Sequence, residues 1–126
     1  MFAGMHGIRI DHTSGVPPYD QLRTQLTELA AGGELAPGTR LPPVRRAAEE
    51  LGLAANTVAR AYRELEAAGV VVTRGRLGTF VASPAVDGTS ERSRSAHRAA
   101  EEFVDTVRRL GLTRTEATRL VEEVWD

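Results

Sequence analysis

Residues 51–81 read LGLAANTVARAYRELEAAGVVVTRGRLGTFV, a short amphipathic helix followed at once by two β-rich runs. Val58, Ala61, Tyr62 and Leu65 recur at helical spacing and share one face, and Gly69 stops the run. Residues 70–74 and 78–82 are rich in β-branched side chains and are bridged by Gly75-Arg76-Leu77, which reads as a hairpin. The remaining elements have to pack around this order of helix, then hairpin.

Upstream, the same reading gives two more helices. From Tyr19 the apolar positions Leu22, Leu26, Leu29 and Ala30 mark a helix to about Ala31, stopped by Gly32 and Gly33. Pro37-Gly38, between Leu35 and Leu41, reads as a turn. Pro42 and Pro43 then stand where proline is tolerated, ahead of a helix over residues 44–51 with Val44, Ala47, Ala48 and Leu51 inward. Residues 52–55 are too few to let this helix lie alongside the one from about Asn56 to Ala68. The two must cross sharply, as in a helix-turn-helix, and the hairpin beside them becomes a wing. Residues 1–18 read as an extended lead-in.

Downstream the composition changes. Residues 83–95 hold Pro84, Asp87, Gly88 and several serines without periodicity, which reads as a flexible linker. Ala96, Ala99, Phe103, Val104, Val107 and Leu110 then form one helical stripe, closed by Gly111 with Leu112 as its apolar companion. Thr113 with Glu116 is a capping box for a last helix whose stripe is Ala117, Leu120, Val121 and Val124. Two helices of this size cannot bury their apolar faces alone. A second copy of the chain, related by a two-fold axis, is the expected partner. The predicted fold is therefore mainly α with a small β-hairpin. It comprises a winged helix-turn-helix over residues 1–82, a linker over 83–95 and a two-helix dimerisation hairpin over 96–126.

Composition excludes several functions. With no cysteine there is no disulfide framework, thiolate zinc site or cysteine nucleophile. His6, His12 and His97 share no metal-ligand spacing, no serine, histidine and carboxylate set suggests a triad, and no glycine-rich loop cradles phosphate. The expectation is a non-enzyme without metal or cofactor. No apolar run approaches the roughly 18 residues that span a bilayer, and the first ten residues do not read as a signal peptide, so a cytoplasmic location is expected. Net charge is −1, but its distribution is uneven. Between residues 40 and 80 arginines outnumber acids, and the flanking segments are acidic.

That basic segment carries the candidate binding surface. An α-helix fits the major groove, where each base pair shows a distinct pattern of donors and acceptors. Asn56 has the amide geometry for adenine, Thr57 for a phosphate or a thymine methyl, and Arg60 and Arg63 for guanine or phosphate. Asn is also a preferred helix cap, and that reading stands beside the first. Arg45, near the start of the preceding helix, is placed for the backbone or a neighbouring base edge. Arg74 and Arg76 at the hairpin tip suit the minor groove, and Gly75 and Gly78 allow a close backbone approach, with Thr79 following.

Taken together, PPYDQLRTQL (17–26), GELAPGTRLPPVRRAAEELGL (33–53), NTVARAYRELEAAGVV (56–71) and RGRLGTFVA (74–82) closely resemble the GntR family of bacterial transcription regulators. The lead-in and the tail resemble its YtrA-like subfamily, whose C-terminal part is reduced to about two dimerising helices. The resemblance implies a dimeric winged-helix repressor of a pseudo-palindromic operator in double-stranded DNA. By position, Arg45, Asn56, Thr57 and residues 74–79 match family DNA contacts, whereas Arg60 and Arg63 rest on helix geometry alone. Ala54-Ala55 stands where the family often has Ser-Arg, Ala59 replaces a common arginine, and Pro43 replaces a common serine cap. Leu77 alters the usual wing tip. A winged helix serving as a protein-interaction module without a nucleic-acid role is the alternative. An apolar wing tip would favour it, and Leu77 is the one such residue. A small-molecule effector acting between tail and heads is compatible with the linker, but no convergent polar set names its chemistry.

Overall fold

The computed structural model describes residues 5 and 7–126. His6 and the first four residues of the expected lead-in lie outside the described residues. The chain divides into two units, Met1–Ser83 and Pro84–Asp126.

In the first unit, α1 (Pro18–Ala31), α2 (Val44–Leu51) and α3 (Ala55–Ala67) precede a two-stranded antiparallel sheet, β1 (Val71–Thr73) and β2 (Thr79–Val81). Pro18 opens α1, where its missing N–H costs nothing. α1 and α2 each pack on α3. Leu22 and Leu26 of α1, Ala47 of α2, and Val58, Ala61 and Leu65 of α3 are sealed from solvent. Gly52 ends α2 at φ 66°, a left-handed conformation that costs a glycine little. Leu53 N–H then donates to Ala48 O at 2.9 Å, and α3 begins two residues later. This is the sharp corner that the sequence predicts.

Tyr62 lies on the buried face of α3 and donates its hydroxyl to the Pro42 carbonyl at 2.7 Å. Burial pushes its pKa up, with the nearby Glu50 adding to the effect. The bond fixes the start of α2 against α3. Tyr62→Phe is expected to lower stability by about 1–2 kcal/mol, because the Pro42 carbonyl loses its partner. Urea denaturation reads the difference; an unchanged midpoint would mean that water replaces the hydroxyl.

The hairpin pairs Val71 with Val81, Val72 with Phe80 and Thr73 with Thr79, and a 3₁₀ turn over Gly75–Leu77 joins the strands. β2 has a second neighbour that the sequence reading missed. Arg40 bridges to Phe80, with Leu41 N–H donating to Thr79 O and Val81 N–H to Thr39 O, both at 2.8 Å. The residues expected only to follow a turn thus form a third ribbon at the wing's root.

The lead-in is held by side chains. Gln25 accepts from Arg9 N–H at 2.9 Å and donates to Arg9 O at 2.7 Å. Gln21 does the same at Asp11, at 2.8 and 2.9 Å. Each amide acts as one rung of a sheet, and Ile8 and Ile10 pack on the core beside buried Met5.

In the second unit α4 (Pro84–Asp87), α5 (Glu91–Arg109) and α6 (Arg114–Trp125) follow. Residues 83–95, expected as an aperiodic flexible linker, therefore contain α4 and the first turn of α5. The serines explain the difference. Ser90 caps α5, accepting from Ser93 N–H at 3.1 Å, and Ser93 donates to Gly88 O at 2.8 Å. Polar residues that suggest a loop by composition are here the bonding partners of a helix start. The capping box forms as expected: Thr113 N–H donates to Glu116 at 2.9 Å and Glu116 N–H to Thr113 at 3.1 Å. These bonds from Thr113 hold the Glu116 carboxyl below its ordinary pKa. Of the apolar tail residues only Val107 is buried. Phe103, Val104 and Val121 line an open groove of about 490 Å³ between α5 and α6. Among the described residues no helix is long and apolar enough to cross a membrane.

Candidate nucleic-acid interface

The start of α3 is the centre of the candidate surface. Ala54 is its N-cap and provides no side-chain hydrogen bond, while its carbonyl accepts from Thr57 N–H at 3.1 Å. Asn56 sits one residue inside the helix and is exposed. It does not cap α3, so the capping alternative for this residue falls away. Thr57 is half-buried, one position on.

Arg60 and Arg63 share the outer face of α3 by periodicity, but their side chains have different surroundings. Arg60 Nε lies 3.2 Å from Glu64, and its guanidinium stacks over the Tyr19 ring at 3.6 Å. Glu64 also approaches Arg23 at 3.8 Å, and Arg23 pairs with Asp20. Arg60 thus takes part in a charged seam between α1 and α3 while its side chain stays exposed. Arg63 is exposed and outside that seam.

Arg45 is the second residue of α2 and is exposed. Across the 3₁₀ turn, Arg74, Gly75 and Arg76 are exposed, and Gly78 and Thr79 are half-buried at the wing's base. Arg74 N–H donates to Gly78 O at 2.9 Å, which closes the tip. Thr79 Oγ1 lies 3.4 Å from Thr73 Oγ1 across the strands. Between wing and α2 opens a cleft of about 210 Å³, lined by Pro43, Val44, Tyr62, Arg76 and Gly78 together with Arg40. Sequence reasoning passed over Arg40 because it lay in a segment read as a turn. Its one signal was its place four residues ahead of a helix start in the basic stretch. The described residues contain no group of three or more histidines and carboxylates arranged to hold a metal.

Residues 18–81 match the model of the bacterial regulatory proteins of the gntR family. The HTH-type transcriptional regulator Rv1152 of Mycobacterium tuberculosis is 50% identical over 119 residues, 94% of each chain. The HTH-type transcriptional repressor YtrA of Bacillus subtilis is 43% identical over 79 residues, 62% of this chain and 60% of that one. Among solved structures, YtrA from Sulfolobus acidocaldarius, a GntR-family transcription factor, superposes with a TM-score of 0.58 at 35% identity. That match covers 83% of this chain and 98% of the other.

Proposed function

Since the chain belongs to the gntR family of bacterial regulatory proteins, in its YtrA-like group, we propose that it is a repressor. It binds a pseudo-palindromic operator in double-stranded DNA as a homodimer. Residues 1–82 read one half-site and residues 96–126 join two copies. The observation that carries the reading is the presence of three features in one unit: the start of α3, which has no side-chain cap, with exposed Asn56, exposed Arg45 on α2, and exposed Arg76 on the wing. Helix amides and arginines together favour phosphate, while Asn56 and Arg45 offer base-edge chemistry. The repressor role is supported by the name of the Bacillus relative. A transcriptional regulator of this family is not an enzyme. The tail's exposed apolar stripe, with Val104 42% and Val121 39% accessible, supports self-association.

The test is fluorescence anisotropy on the duplex upstream of the protein's own gene, beside a scrambled duplex, over a salt series. Tight binding to the first alone, weakening steeply with salt, is the expected result. Equal weak binding to both would turn attention to a protein partner. Within the same assay, Arg45→Ala or Arg76→Ala is expected to weaken binding by about 1–3 kcal/mol each if it reads a base. An unaltered affinity would remove that residue from the interface.

A further inference from the structure

We propose that Arg40 is a phosphate-binding residue: with Arg76 it forms a socket that grips one phosphodiester of the DNA backbone between the wing and α2. The inference rests on the DNA-binding reading above and adds to it a residue that lies on neither the recognition helix nor the wing tip.

Four observations carry it. First, the Nε of Arg40 is sealed from solvent and has no hydrogen-bond partner among the described residues. Guanidinium stays charged at any working pH. A buried donor of this kind without a partner is unfavourable, and such a group in a folded protein calls for a ligand or a role. The residue as a whole is half-buried, so its outer nitrogens remain within reach from the cleft.

Second, no carboxylate lines the cleft. Three other arginines of the same unit have acidic partners: Arg23 pairs with Asp20, Arg46 with Glu50, and Arg60 with Glu64. Arg40 is set beside a second cation, Arg76, in place of an acid. Two cations that share a small cleft without an anion form a site for one, and a phosphate group matches the planar fork of guanidinium.

Third, the wing is shaped around this side chain. A Cβ added at Gly78 would come within 2.8 Å of Arg40 Nε and 3.4 Å of Nη2. Gly78 also has φ +113°, which other residues rarely adopt. The glycine at the wing's base thus leaves the space in which the guanidinium lies, a role separate from closing the hairpin.

Fourth, Arg40 is held in place. Its neighbours Thr39 and Leu41 are bonded to β2, and Pro42 behind them is fully buried. A charge on a rigid support loses little freedom when it grips a ligand. The socket also opens between the wing and the start of α2, the element that carries exposed Arg45. A duplex touching both would run its backbone across it. The shared chemistry with a free phosphate is the oxyanion; this position favours the backbone.

The experiment uses the full chain and its Arg40→Gln and Arg40→Lys variants, with anisotropy on the upstream and scrambled duplexes over a salt series. A phosphate contact is blind to sequence, so Arg40→Gln is expected to weaken both complexes alike, by about tenfold. The slope of log affinity against log salt should shrink by roughly 0.9. Arg40→Lys, which keeps the charge in the same space, should restore the slope. It should not restore the full affinity, because an ammonium lacks the fork. A purely structural role would lower thermal stability and leave the slope unchanged. If Arg40→Gln binds like the parent with the same slope, the socket is refuted while the parent's binding keeps the DNA reading intact. If the parent binds neither duplex, both fall. Inorganic phosphate that stabilises the parent but not Arg40→Gln, with DNA slopes equal, would assign the socket to a free phosphate and overturn the backbone assignment.

Discussion

Leu65→Ala is expected to destabilise the N-terminal unit by about 3 kcal/mol, within the range for a leucine truncated in a packed core. For a unit of this size that corresponds to a fall in Tm of roughly 12–24 °C. Leu65 is fully buried on α3 and belongs to the same cluster as Leu22 and Leu26 of α1 and Val71 of β1. Its carbonyl also accepts from Val70 N–H at 2.9 Å, where the chain leaves α3 for the wing. The side chain therefore lies where the recognition helix, its supporting helix and the hairpin meet. A cavity there loosens both elements proposed to touch DNA. Thermal melts followed by far-UV circular dichroism check the stability, and operator affinity should fall once the unfolded fraction is appreciable. A Tm within a few degrees of the parent would mean that α1 collapses onto the cavity, and that the core is less tightly specified than its burial implies.

Most of this architecture is legible in local sequence. α2 and α3 are marked by apolar stripes of period 3.6 and by the stops Gly52 and Gly69. The capping box of α6 is legible because both its partners lie within four residues. Long-range pairing leaves no such trace. The bridge from Arg40 to Phe80 joins residues separated by two helices, and Pro37-Gly38 conceals the ribbon by reading as a turn. Gln21 and Gln25, which tie down the lead-in, look like ordinary exposed positions on α1.

The site shows the same division between face and side-chain direction. Periodicity puts Arg60 on the outer face of α3 but does not report that Tyr19 and Glu64 compete for its guanidinium. For Asn56 the sequence leaves cap and contact open, and the helix start at Ala55 decides against the cap. In residues 83–95 composition misleads, because serine serves loops and helix caps alike. Ser90 and Ser93 here do the second.

A pair of charges in the tail groove, Val104→Asp with Val121→Asp, is expected to reduce operator affinity by roughly 10²–10⁴-fold without touching any residue proposed to meet DNA. Both side chains are more than a third accessible in the single chain, so two carboxylates there should be tolerated by the isolated helices. In a homodimer they would be buried against apolar partners, where an unpaired charge is strongly unfavourable. Light scattering should then report the mass of one chain where the parent gives two. Each head should still bind a duplex carrying one half-site as the parent's head does, because Met1–Ser83 is unchanged. The loss should appear only on the full operator, where joining two heads makes the second contact intramolecular. That pattern separates dimerisation from damage to the DNA-binding surface. If the double variant keeps the mass of two chains, the groove is not the dimer face. If it is monomeric yet binds the full operator as before, each head suffices alone, and the two-fold reading of the operator fails.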